Sequence, residues 1–126
     1  MEKKDPKQKD LNLLQIAQIQ QANFSRNIME IGGYETFTTF FADLTIAESF
    51  GESAVIDTFE RVLRDWGKNY KYFTEFVLCL NHKIWQHYQK NEALGRLYDT
   101  LWRKADDYCL DTFKGEELEY YLQVTD

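Results

Sequence analysis

The chain has 126 residues, 44% of them hydrophobic and 16% aromatic, with 21 acidic against 15 basic side chains, six glycines and one proline. That is enough apolar material for one domain with its own core and too much for a disordered chain, while the sequence holds no run of about 18 apolar residues that would span a bilayer. Two cysteines are too few for a secreted disulfide scaffold.

The charge is unevenly placed. Residues 1 to 105 hold equal numbers of acids and bases, so the net charge of −6 falls entirely in the last stretch. There Asp106, Asp107, Asp111, Glu116, Glu117, Glu119 and Asp126 face one base, Lys114.

In chain order, the start MEKKDPKQKD has lysines but no apolar stretch behind them, and Leu11 to Ala22 is broken by Asn12, Gln15, Gln18, Gln20 and Gln21. This argues against a secretory signal and for a cytoplasmic protein. Residues 1–10 read as a flexible tail and 11–126 as one helical domain. A Gln-rich segment, 9–30, has apolar residues that keep no single face. Segment 34–50 puts Phe37, Phe40, Phe41 and Leu44 on one stripe, and 53–66, with Ser53 as N-cap, does the same for Val55, Ile56, Phe59, Val62, Leu63 and Trp66. From 69 to 90, Phe73, Phe76, Val77, Leu80, Ile84 and Tyr88 share a face that Leu78 and Trp85 widen, which predicts a central helix. From 92 to 113, after Asn91 as a cap, Leu94, Leu97, Tyr98, Leu101, Trp102, Ala105, Tyr108 and Cys109 form an unbroken stripe. A last helix is expected over 116–123. Gly32-Gly33, Gly51, Gly67 and Gly115 follow these segments, where left-handed helix terminators belong. Long amphipathic helices with short loops predict an all-α bundle of five to six mostly antiparallel helices.

Chemistry-bearing residues are few. Glu75, Cys79 and His82 share one side of the 69–90 helix; carboxylate, thiolate and imidazole are competent zinc ligands, and a Cys near a His can be an activated thiol. One helix alone does not converge on a metal, and the plainer reading pairs Glu75 with Lys71, packs Cys79 beneath a neighbour and solvates His82. No metal or other cofactor is therefore expected. His87, between Ile84 and Tyr88, reads as a hydrogen-bonded core histidine, and Glu48 falls near the stripe of Leu44 and Phe41. Paired Glu-x-x-His sequences of a di-iron bundle are lacking.

Two surfaces remain. Arg61, Arg64, Lys68 and Lys71, interleaved with Trp66, Tyr70 and Tyr72, could meet nucleic acid through phosphate contacts and stacking. Asp57 and Glu60, four residues before Arg61 and Arg64, offer ordinary helix pairs instead. Asp106, Asp107 and Asp111 oppose the dipole of their own helix, with Arg103 near enough to offset Asp107, and stability alone would not place them there. With Glu116, Glu117, Glu119 and Tyr120 they suggest an acidic, tyrosine-bearing surface for a basic partner. Trp85, Tyr98, Trp102 and Tyr120 lie at stripe edges, where aromatic rings favour protein interfaces or self-association. The expectation is a non-catalytic interaction protein.

The segments NYKYFTEFVLCLNHKIWQHYQ (69–89), LYDTLWRKADDY (97–108) and KGEELEYYLQVTD (114–126) resemble a family of small uncharacterised helical proteins of gut anaerobic bacteria. The resemblance covers residues 34–126 and leaves out the Lys- and Gln-rich start. Members are often encoded near phage, plasmid or conjugative-element genes, so it implies a cytoplasmic bacterial protein, an accessory of a mobile element. It carries over no site residue.

Overall fold

The computed structural model describes residues 34–125, which form five helices: α1 (Tyr34–Glu48), α2 (Glu52–Trp66), α3 (Tyr70–Gln86), α4 (Glu92–Thr112) and α5 (Glu116–Thr125). The chain is an all-α bundle, and among the described residues there is no strand. The expected tail at 1–10, the segment 9–30 and Gly32-Gly33 lie outside the described residues. No helix among those described is long and apolar enough to cross a membrane.

The central element is α3, which packs on all four other helices and most extensively on α4. Its run Phe76-Val77-Leu78-Cys79-Leu80 is buried on every side, as a helix apolar all round must be. Around it Phe40, Leu44, Val55, Phe59, Val62, Phe73, Leu101, Ala105 and Phe113 close one core. Rings meet edge-on within it, as with Phe40 on Phe76 at 5.2 Å and Tyr108 on Phe73 at 5.4 Å, the arrangement their quadrupoles favour.

Two helix starts are fixed by asparagine. Asn69 Oδ1 accepts from the Tyr72 N–H at 3.1 Å and Asn91 Oδ1 from the Leu94 N–H at 3.2 Å, each satisfying a donor that the helix itself cannot. The third start differs from expectation: α2 begins one residue earlier, with Gly51 in the cap position and no side-chain cap bond, so Ser53 lies inside the first turn. Gly115, at φ 59°, is a left-handed terminator as expected, but Gly67 is right-handed at φ −58°. Space, not handedness, requires glycine there. A Cβ on Gly67 would lie 2.4 Å from the Leu63 carbonyl oxygen and 2.9 Å from the Tyr108 hydroxyl.

Candidate functional site

The acidic end divides into structural and exposed parts. Asp106 is half-buried and accepts a hydrogen bond from the Tyr121 hydroxyl at 2.5 Å, tying α5 to α4. Burial, and then this bond, hold the Tyr121 phenol protonated far above its ordinary range. Asp107, Asp111, Glu116, Glu117 and Glu119 are exposed, and among the described residues none of them is in an ion pair. Arg103 turns to Asp99 at 3.0 Å, not to Asp107. Asp107 and Asp111 flank a shallow groove of about 610 Å³ between α2 and α4, with Leu63, Tyr108 and Leu110 in its lining and Lys104 beside them. Leu110 is 44% exposed.

The edge aromatics are more internal than their register suggested. Tyr98 is fully buried, Tyr120 stands edge-on to Tyr70 at 5.2 Å, and Trp85 and Trp102 are half-buried. Among the described residues the large exposed hydrophobic side chains are instead Phe50, Ile46, Leu122, Leu110, Trp66, Tyr72 and Ile56.

On the basic face, Arg61 reaches Asp43 of α1 at 3.5 Å and Arg64 its neighbour Asp65 at 3.3 Å, in place of the expected pairs with Asp57 and Glu60. Lys68 and Lys71 are exposed, with the Lys71 ammonium 5.9 Å from the Tyr70 ring. Trp66 and Tyr72 are both exposed, and their rings meet edge to face at 5.3 Å. The two rings are therefore not parallel to each other.

Glu75 and Cys79 are buried on α3 and His82 is half-buried, its ring against Phe37 and Phe41. The Cys79 thiol donates weakly to the Phe37 carbonyl oxygen of α1 at 3.4 Å. Burial, then the nearby Glu75 carboxyl, pushes that thiol well above its ordinary range, the opposite of what a nucleophile needs. Glu75 does not reach Lys71; it is 2% exposed, its Oε1 has no hydrogen-bond partner, and burial pushes it up to about 7. Among the described residues no three His, Cys, Asp or Glu side chains converge as a metal would require.

A polar centre that sequence reasoning did not assemble lies where α1, α3 and α4 meet. Lys83 is completely buried, and its Nζ sits 2.8 Å from Glu48 Oε2, 2.8 Å from Thr45 Oγ1 and 4.2 Å from the centre of the Phe41 ring. The Tyr98 hydroxyl donates to the same Glu48 oxygen at 2.5 Å, and His87 Nε2 lies 3.2 Å from Oε1, off the line of a good hydrogen bond. Burial pushes the Glu48 carboxyl up, but the bonds from Lys83 and Tyr98, the Lys83 charge and His87 outweigh it and hold the group below its usual range. His87 is parallel to the Tyr98 ring, with centroids 5.8 Å apart. Its neighbours are thus a carboxylate and a ring, but its Nε2 makes no hydrogen bond, so it is not the hydrogen-bonded core histidine expected from the sequence.

The outer side of His87 opens on a cleft of about 660 Å³ formed by the end of α3, the 87–91 turn and the first turns of α4. Comparison with protein-family models, with characterised proteins and with solved structures found no match to this chain.

Proposed function

We propose that the chain is a small interaction protein that binds a basic, amphipathic segment of a partner protein in the groove between α2 and α4. The observation that carries this reading is the pair Asp107 and Asp111 beside the exposed Leu110. Two aspartates four residues apart repel each other by a few tenths of a kcal/mol. In the C-terminal half of α4 they also oppose the helix dipole. With Leu63, Tyr108 and Leu110 between helices, they offer an apolar anchor and two unpaired carboxylates to a helix with leucine and lysine faces. On the resemblance of its three segments, the protein is taken as a cytoplasmic bacterial accessory of a mobile element.

The test uses the full chain, because Tyr121 and Val124 of α5 belong to the core and deleting the acidic end would unfold it. A synthetic Leu/Lys amphipathic helix is expected to bind with an affinity that falls with added salt, and Asp107→Lys with Asp111→Lys should weaken it at least ten-fold. Equal binding by that variant would overturn the reading. Retardation of a single-stranded oligonucleotide, lost on Arg64→Glu with Lys68→Glu, would replace it with the nucleic-acid alternative. A salt-insensitive dimer in light scattering, abolished by Leu110→Asp, would replace it with self-association.

A further inference from the structure

We propose that the cleft beside His87 is a binding site for a small organic carboxylate with a flat apolar body. The argument begins with features that cost the fold something and gather in one place. Gln89 has φ 61°, a left-handed backbone that a side chain resists. Gly95 lies in the second turn of α4, yet a Cβ there would meet nothing nearer than the His87 carbonyl oxygen at 3.9 Å. Alanine would fit and would favour the helix. Glycine leaves bare backbone in the cleft wall, where a ligand can approach closely. Behind the wall lies Lys83, a completely buried charge. Strained or locally unfavourable choices that converge on a cavity mark a functional site more often than a structural one.

The charges choose the ligand class. Both acids of the lining are already committed: Glu92 pairs with Arg96 at 3.1 Å and Asp99 with Arg103 at 3.0 Å. Lys90 has no ion pair among the described residues. It stands beside the first turn of α4, where Asn91 takes the Leu94 N–H but the Glu92 and Ala93 N–H groups lack intrahelical partners and carry the positive end of the dipole. His87 is held from behind by Glu48 and Tyr98, so the imidazole is oriented before any ligand arrives. An anionic group therefore meets an ammonium, helix amides and a fixed ring. Ile84, in the last turn of α3, and Tyr88, in the turn that follows it, supply the apolar side for the rest of the molecule. A volume of about 660 Å³ suits a metabolite-sized ligand, not a macromolecule.

The probe is benzoate, followed by amide NMR of the labelled full chain, with benzamide and inorganic phosphate as controls. Benzoate is expected to give saturable shifts at Lys90, Glu92 and Gly95, at least ten-fold tighter than either control. Gly95→Leu should abolish them and Lys90→Gln weaken binding at least five-fold, with helical circular dichroism unchanged. Gly95→Ala, which strains nothing, keeps the test valid should the leucine variant misfold, and should weaken binding by a smaller factor. Benzamide binding as well as benzoate would overturn the anionic part of the proposal, and phosphate binding as well would overturn the organic part. Absence of saturation at millimolar benzoate, or shifts that survive in folded Gly95→Leu, would overturn the site.

Discussion

Glu75 and Glu48 are two carboxyls that folding treats in opposite ways. Glu48 has Lys83, Tyr98 and His87 around it and is held ionised; Glu75 has desolvation and nothing to offset it. Because the folded value of Glu75, about 7, lies above the ordinary carboxyl value of 4.5, folding favours the neutral form. The protein bears no penalty from it at lower pH, loses stability as pH rises between those values, and carries a constant cost above them. That cost is at most about 3 kcal/mol. Glu75→Gln is expected to raise the denaturation midpoint at pH 8 by roughly 2 kcal/mol of stability and to change little at pH 4.5, by urea melts at both. At Glu48 the sign reverses. Glu48→Gln leaves the Lys83 ammonium buried without its counter-charge and should cost about 3–5 kcal/mol, most of which Glu48→Gln combined with Lys83→Met should restore. Chemical denaturation of the two variants checks this. The sequence showed Glu48 and His87 near apolar stripes but not what joined them. Lys83 is missed by periodicity because a lysine reads as a surface residue, while here it is buried among the partly exposed Asn81, His82, Ile84 and Trp85. The one legible signal was the apolar run 76–80, which makes residues four before and four after Cys79, Glu75 and Lys83, buried as well.

At the scale of elements, all five helices expected over the described residues are present, each starting within one residue of its expected start, and the ends that differ have physical causes. The first helix ends at Glu48, not at 50, with a tight turn to Gly51. The 69–90 segment stops at Gln86, where the Tyr88 N–H bonds the Trp85 carbonyl three residues back in place of a four-residue helical bond and Gln89 takes a left-handed backbone at φ 61°. Tyr88 therefore belongs to a turn and lines a cleft, although its spacing continues the helical stripe. Conversely α5 runs on to Thr125, since Val124 finds a buried place. Caps were readable where a side chain makes them, at Asn69 and Asn91, and misread where backbone alone does so, at Gly51. Gly67 was legible as a helix end but not as a tertiary contact, because the Tyr108 hydroxyl that its Cβ would meet, besides the Leu63 carbonyl oxygen, is forty-one residues away.

As a whole, the described residues form a single core around α3, and the two surface hollows lie at opposite ends of α4. The α2–α4 groove was partly visible as the charge excess after residue 105, whereas the cleft beside His87 arises only when Gly95 and the 87–91 turn are folded against each other. Both cysteines are completely buried, under different helices: Cys79 beneath α1 and Cys109 beside Tyr121 of α5. Burial, eased by Tyr121 and reinforced by Asp106, pushes the Cys109 thiol up to about 12. Each sulfur thus meets an aqueous reagent only when its covering helix lifts away. The two thiols are internal clocks for two separate openings. Alkylation followed by mass spectrometry is expected to label neither at neutral pH in the native protein within minutes. On mild destabilisation Cys109 should react first, because α5, the shorter helix, gives way before α1; equal rates at both sulfurs would mean that the bundle opens only as one unit.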